Sequence, residues 1–180
     1  MASTSSLEAI NTLYREYSQN YQYLMDSGQI SFATDYKSQY SKIMLLSAAS
    51  YFESKVIRIV TGFLNSDNCP VRAGFLEKKA LKRQYHTLFN WDQTNANQFF
   101  GLFGDDFKEY VKSKVEDDND LKSAIKDFME LGSYRNKLVH DNYATFNLPL
   151  TAEEVKTKFD NADIFVSNIE NLVTEFKTSA

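Results

Sequence analysis

An arginine and a histidine five residues apart are hard to explain in this sequence by packing alone. Arg135 and His140 bound the segment RNKLVH, and the 180-residue chain contains only one other histidine, His86. Arginine is permanently charged, and histidine is the side chain whose unperturbed pKa lies closest to neutrality. Together, the two side chains could hold a phosphate and move a proton beside it.

The segment that carries this pair has the periodicity of an amphipathic helix. Arg135 continues a stripe of apolar residues, which are Leu121, Ala124, Ile125, Phe128 and Leu131. Five residues correspond to about 140° around an ideal helix, so Arg135 and His140 do not share a face, whereas Asn136 and His140 do. Both side chains reach one atom only if the arginine swings round, the helix unwinds near Asp141, or a second copy of the chain contributes. A capping or structural role is the competing interpretation of His140.

A carboxylate in an upstream helix offers Arg135 a partner. Glu53 shares a helical face with Leu46, Ser50, Ile57 and Leu64. A buried unpaired charge is costly, so two charged residues on apolar faces of one small protein favour a pair. Two interpretations remain open: Glu53 and Arg135 bridge two helices or reach water separately, or Glu53 orients Arg135 within a site.

The composition predicts long helices joined by short loops. Glycine and proline number only six and two, while there are 14 Phe and 11 Tyr residues. Apolar spacing predicts helices over 5–25, 33–65, 71–84, 95–102, 104–116, 121–139 and 151–177. Ser5 or Ser6 caps the first helix, and Thr151 with Glu154 forms a capping box for the last. The fold class is therefore all-α, and the length fits a single domain over 1–180, with the helix 5–25 packed on a core of 30–177.

Net charge and cysteine content restrict the function. The net charge of −4 argues against broad non-specific binding of nucleic acid. One basic cluster stands out, opposed only by Glu77, and consists of Arg72, Lys78, Lys79, Lys82 and Arg83. It is either a solvated helix face or a track for a polyanion backbone. The single cysteine, Cys69, excludes an internal disulfide, and no readable ligand cluster predicts a metal or another cofactor.

The sequence shows no membrane segment and no secretory signal. The longest strongly apolar patch, 43–49, is too short to cross a bilayer. Residues 1–6 are small and polar, without the basic region and apolar core of a signal peptide. We therefore expect a soluble, cytoplasmic protein.

The segment RNKLVH resembles the R-x4-6-H motif of the HEPN superfamily, including the frequent asparagine after the arginine. Residues 48–54 (AASYFES) are similar to the HEPN helix that carries an acidic residue. Within the superfamily the pattern looks closest to the RiboL-PSP-type branch. The resemblance implies a HEPN-like helical bundle of long antiparallel helices with short connecting helices.

The resemblance also implies an activity. HEPN ribonucleases are metal-independent endonucleases that form homodimers, which bring two motifs into one cleft. Carried over to this chain, Arg135 stabilises charge on the scissile phosphate, and His140 transfers a proton while the RNA 2′-hydroxyl attacks. Asn136 holds the phosphate or orients His140, and Glu53 fixes Arg135. The side chains expected to contact RNA are Lys137, Tyr143, Arg72, Lys79, Lys82 and Arg83.

Three interpretations of this sequence remain open. The first is an endoribonuclease that acts as a toxin or antiphage effector on tRNA or other RNA, with an antitoxin or effector-system partner. The second is a catalytically inactive HEPN module that dimerises or docks on a larger assembly. The third is an unrelated helical bundle in which the motif arose by chance. Retention of both Arg135 and His140 favours the first.

Overall fold

The computed structural model describes residues 5–65, 67–82 and 84–179, and within them it contains helices and no strand. The all-α prediction is confirmed. In chain order the elements are α1 Ser6–Asp26, α2 Ile30–Leu64, α3 Pro70–Phe75, a π-helical turn Leu76–Leu81, α4 Tyr85–Leu88, α5 Asn97–Gly101, α6 Asp105–Asp117, α7 Asn119–His140 and α8 Ala152–Ser179.

The predicted caps form as their residue types require. The Ser5 hydroxyl accepts a hydrogen bond from the Glu8 backbone N–H at 3.1 Å and starts α1. At α8, the Thr151 backbone N–H donates to Glu154 Oε2 at 2.8 Å, and the Glu154 N–H donates to Thr151 Oγ1 at 3.2 Å. These two reciprocal bonds make the capping box predicted from the sequence.

The prediction of one helix over 71–84 is wrong. The α-helix α3 ends at Phe75, and the chain continues in a wider turn in which the Lys82 N–H donates to the Glu77 carbonyl at 2.9 Å. Bonds between residues five apart define a π-helix. The wider turn buries Leu81 and leaves Lys78 and Lys79 exposed. The separate short helix α4 was not predicted.

The described residues form two compact units. The first unit holds the described residues within 1–51 and 131–160, and the second holds those within 52–130 and 161–180. The prediction of a single domain over 1–180 stays a prediction.

A cluster of tyrosines packs α1 against α2 in the first unit. Tyr17 of α1 is fully buried and stacks on Tyr36 and Tyr40 of α2, with ring centroids 5.8 and 5.0 Å apart. Its hydroxyl donates to Glu153 Oε1 at 3.0 Å. Buried tyrosine hydroxyls need such a partner, so Tyr17 and Glu153 join α1 to the start of α8.

Phenylalanines fill the second unit. Phe128 of α7 meets Phe89 and Phe165 edge to face, with centroids 5.0 and 5.2 Å apart, and Phe89 stacks on Phe99 at 4.7 Å. All four side chains are buried. Aromatic pairs of this geometry contribute about 0.5–1.5 kcal/mol each beyond their buried area. Much of the high phenylalanine content is thus explained by packing.

Candidate functional site

The helix α7 carries the motif at its carboxyl end. Asp118 begins the helix, because its Oδ1 accepts hydrogen bonds from the backbone N–H groups of Asp120 and Leu121. The predicted apolar stripe is buried throughout, at Leu121, Ala124, Ile125, Phe128 and Leu131. Arg135 continues this stripe and is half-buried, as its position predicts, and His140 is the last residue of the helix.

The structure brings Arg135 and Asn136 together. Arg135 Nη1 donates a hydrogen bond to Asn136 Oδ1 at 3.1 Å. Both side chains are half-buried, so the amide limits the orientations open to the guanidinium. The remaining N–H groups of the guanidinium fork can still hold a phosphate in bidentate geometry.

His140 lies on a different part of the surface of α7. Its side chain is exposed, as are those of Lys137 and Val139, and Val139 keeps 52% of its surface accessible. Among the described residues, no hydrogen bond links His140 to Arg135. One copy of the helix therefore presents a constrained cation and a separate, accessible imidazole.

A buried lysine behind the motif was missed by the sequence analysis. Lys42 of α2 is only 3% exposed, and its Nζ donates to the Tyr143 carbonyl oxygen at 2.9 Å. The same ammonium lies 5.0 Å from the centroid of the Tyr143 ring. No carboxylate pairs with Lys42 in the described part of the chain. A buried charge that is held this way fixes the loop immediately after His140.

The loop that Lys42 holds is itself ordered by hydrogen bonds. Asn142 Oδ1 accepts from the Ala144 N–H at 3.0 Å, and the Asn142 carbonyl accepts from Thr145 and Phe146. Tyr143, which was predicted to contact RNA, keeps 39% of its surface accessible. Lys42 donates to its carbonyl oxygen and lies over its ring, and contact of Tyr143 with RNA stays a prediction.

Glu53 belongs to the second unit, whereas Arg135 belongs to the first. Glu53 is half-buried, and its predicted apolar face is only partly buried: Ile57 is in the core, but Ser50 and Leu64 are exposed. The residue lines a cavity with Arg58 and other members of the second unit. The pairing of Glu53 with Arg135 stays a prediction.

The basic cluster is less uniform than its sequence suggests. Arg72 forms an ion pair with Asp67 at 2.8 Å, so Asp67 opposes the cluster in addition to Glu77. Lys79 and Lys82 are exposed, and Arg83 lies outside the described residues. Contact of these side chains with RNA stays a prediction.

The described residues contain neither a cluster of metal-ligating side chains nor a helix that could span a membrane. No group of three or more His, Cys, Asp and Glu side chains is arranged to hold a metal ion within 5–65, 67–82 and 84–179. In the same ranges, no helix combines the length and the apolar character needed to span a membrane.

Comparison with known proteins matches this chain to a protein family. The model of the RiboL-PSP-HEPN family matches residues 8–175, which include α7 and the full RNKLVH segment. No curated protein and no solved structure matches the chain.

Proposed function

The chain belongs to the RiboL-PSP-HEPN family, and we propose that it is a metal-independent endoribonuclease. HEPN domains are often ribonucleases, so the family sets the class of activity to be tested. The observation that carries the proposal is the end of α7, where Asn136 constrains Arg135 and His140 is accessible. A phosphodiesterase without a metal needs these two chemical functions: a fixed cation and a mobile proton.

The residues act as follows in the proposed reaction. Arg135 binds the non-bridging oxygens of the scissile phosphate and stabilises the charge that builds on them. The neighbouring 2′-hydroxyl attacks phosphorus, the bond to the 5′-oxygen breaks, and His140 takes part in the proton transfer. The products are a 2′,3′-cyclic phosphate and a free 5′-hydroxyl. DNA has no 2′-hydroxyl and is not cleaved.

The active site is composite in this proposal, because one helix does not direct both side chains at one atom. About 140° of rotation separates Arg135 from His140 on α7. A homodimer in which the ends of two α7 helices face each other would supply the arginine and the histidine from different copies. The exposed Val139 beside His140 offers apolar surface for such a contact.

The first experiment measures cleavage of tRNA and total RNA by the purified protein in excess EDTA. Arg135→Ala and His140→Ala are expected to lower kcat/KM by at least about 100-fold, as removal of a charge-stabilising or proton-transferring group does. Lys126→Ala is the matched control, because Lys126 is an exposed cation elsewhere on α7. Activity that requires a divalent cation, or that survives both substitutions, would contradict the proposal.

A mixing experiment tests the composite site. Arg135→Ala and His140→Ala chains carrying different tags are co-expressed, and the mixed dimer is isolated through both tags. If each site takes its arginine from one copy and its histidine from the other, the mixed dimer retains one complete site and cleaves RNA. If both groups come from the same chain, the mixed dimer is as inactive as the two parents.

The biological role that we propose is that of a toxin or antiphage effector, controlled by an antitoxin or another partner. Expression of the wild-type chain is then expected to stop growth, and His140→Ala is expected to relieve the arrest. A stable dimer that cleaves no RNA and arrests no cells would instead identify the chain as a catalytically inactive interaction module.

A further inference from the structure

A cavity of about 410 Å³ lies in the second unit along the last three turns of α2. Glu53, Thr61 and Asn65 line it at helical spacing, and Glu77 and Lys82 line it from the π-helical turn and the residue after it. Its volume is within the range of about 300–1,000 Å³ that is usual for ligand sites. Nothing in the proposed cleavage reaction uses this cavity apart from Glu53.

Two buried oxygens in the wall of the cavity have no hydrogen-bond partner among the described residues. They are Thr61 Oγ1 and Asn65 Oδ1, and Asn65 as a whole is only 7% exposed. The two residues are four positions apart, so they lie on one face. A buried polar atom without a partner costs about 1–3 kcal/mol, and native proteins contain few of them. Asn65 Oδ1 only accepts hydrogen bonds, whereas the Thr61 hydroxyl can donate or accept, so a ligand has to supply a donor at Asn65.

The charged residues around these oxygens indicate how such a ligand is oriented. Glu53 is half-buried, and an ionised carboxylate only accepts hydrogen bonds. Arg58 and Lys82, in contrast, are exposed, and neither forms an ion pair within the described ranges. The inner wall thus favours an N–H donor at Asn65, and on the exposed rim the two cations outnumber the one carboxylate, Glu77.

We propose that this cavity binds one base of the RNA substrate and selects a base with an exocyclic amino group. This inference rests on the proposed nuclease function. Cytosine and adenine carry an amino donor where uracil and hypoxanthine carry a carbonyl acceptor. The amino group would donate to Asn65 Oδ1 and Thr61 Oγ1, while Arg58 and Lys82 hold the adjoining phosphate. A uracil carbonyl can accept from the Thr61 hydroxyl, but it would face Asn65 Oδ1, a second acceptor, and would leave that oxygen unsatisfied.

The basic residues next to the rim favour RNA over a small metabolite. Lys78 and Lys79 are exposed on the π-helical turn that leads to Lys82. Neither lysine lines the cavity, so exposed cations continue beyond its rim, which suits a continuous polyanion backbone. Single-stranded RNA is commonly recognised in this way, with one base splayed out and read along its Watson–Crick edge.

The test measures binding by fluorescence anisotropy with the His140→Ala protein, which leaves the RNA uncut. The probes are labelled eight-nucleotide oligouridylates, either unmodified or with a single central cytidine or adenosine. The amino-bearing probes are expected to bind about 10-fold more tightly, which corresponds to about 1.4 kcal/mol. Adding Asn65→Leu is expected to remove this preference, and adding Thr61→Val is expected to reduce it. Thr157→Val is the control, because the Thr157 hydroxyl already donates to the Glu153 carbonyl in α8.

A second variant separates the base from the backbone. Lys82→Gln is expected to weaken the binding of all probes equally and to reduce the salt dependence of the affinity. Equal affinity for all probes, a preference for uridine, or no binding of RNA would each overturn the inference. If the wild-type protein cleaves RNA without a base preference, base recognition by the cavity is refuted but the nuclease function is not. If the probes show the base preference but the wild-type protein cleaves no RNA, base recognition by the cavity is supported and the nuclease function is refuted.

Discussion

Lys42→Met is the substitution that best tests how the loop after His140 is held. Lys42 donates to the Tyr143 carbonyl at 2.9 Å and lies 5.0 Å from the Tyr143 ring centroid. A hydrogen bond from a charged group contributes about 1.5–3 kcal/mol, and a cation–π contact contributes about 0.5–2 kcal/mol. Methionine is similar in length and has no charge, so the substitution also removes the cost of burying an ammonium. The opposing terms leave the global free energy of unfolding within about 1 kcal/mol of wild type.

The substitution affects the local opening of the loop more than the global free energy of unfolding. The loop loses the hydrogen bond and the cation–π contact from Lys42, and methionine supplies no replacement for either. Thr145 and Phe146 donate backbone hydrogen bonds to the Asn142 carbonyl at 3.0 and 2.9 Å, and these amides report on the loop. A loss of about 2 kcal/mol in the free energy of local opening increases their hydrogen exchange about 30-fold. Hydrogen exchange read by mass spectrometry on peptides over 141–150 measures this change. Amides in the middle of α7 should exchange as in wild type.

Lys126→Met is the control for this measurement, because Lys126 is an exposed lysine on α7 outside the loop. It should leave the exchange over 141–150 unchanged. Unchanged exchange in Lys42→Met as well would refute the anchoring argument. If the anchored loop positions His140 in the proposed reaction, Lys42→Met lowers kcat with little change in KM. Lys42→Arg, which keeps the charge, should restore part of the lost rate.

Two further substitutions test the packing of the first unit. Burial raises the pKa of Tyr17, and its hydrogen bond to Glu153 adds to the effect, so this tyrosine stabilises the fold below about pH 10 and progressively less above it. Burial also acts to raise the pKa of Glu153, but hydrogen bonds from its own backbone N–H, Tyr17 and Thr151 outweigh it and lower that pKa. The stability that Glu153 contributes is therefore lost in acid, below about pH 4.5. Tyr17→Phe is expected to flatten both limbs of a urea-unfolding profile from pH 3 to 11, and parallel profiles for the two proteins would contradict this account. Thr151→Ala removes one half of the capping box and should cost about 1 kcal/mol in the same assay, and a change under 0.3 kcal/mol would show that the cap is unimportant.

Helical periodicity and cap chemistry predicted most of the architecture, because both are local properties of a sequence. The buried stripe from Leu121 to Leu131 and the Thr151–Glu154 box are confirmed in the structure. The π-helical turn was not predictable from periodicity, since the same residues fit an α-helix about as well. The Arg72–Asp67 ion pair was missed for a related reason: it depends on the turn between α2 and α3.

Lys42 could have been found by the argument that identified Arg135. It precedes Leu45, Ala49 and Phe52 at helical spacing, so it is a cation in line with a core-facing stripe. Its partner could not have been predicted, because a backbone carbonyl at Tyr143 leaves no signature in the sequence. The positions of Arg135, Asn136 and His140 along α7 were predictable, whereas the hydrogen bond between the first two depends on rotamers that a sequence does not specify.

The buried polar residues of the described chain all lie in α2 or directly after it. They differ in whether the chain supplies a hydrogen-bond partner for the side chain. They are Ser41, Lys42 and Asn65. The Ser41 hydroxyl donates to the Lys37 carbonyl of its own helix, and Lys42 donates to Tyr143, so the chain itself satisfies both. Asn65 Oδ1 has no partner in the described residues. A group that the chain satisfies stabilises or positions the structure, whereas an unsatisfied one needs a partner from outside the chain, which is either water or a ligand.

The stability of the Thr61→Val protein in the absence of RNA tests whether Thr61 Oγ1 is unsatisfied. Valine has nearly the shape of threonine and a similar helix propensity, so the substitution mainly removes the unpaired Oγ1 from the cavity wall. We expect the free energy of unfolding to rise by about 1 kcal/mol, which raises Tm by about 2–4 °C for a chain of this size. Thr157→Val, in which a bonded hydroxyl is removed from an exposed helix position, should change Tm by less than about 1 °C. A Thr61→Val protein less stable than wild type would show that water already satisfies this oxygen, and the cavity would then need no donor from a base.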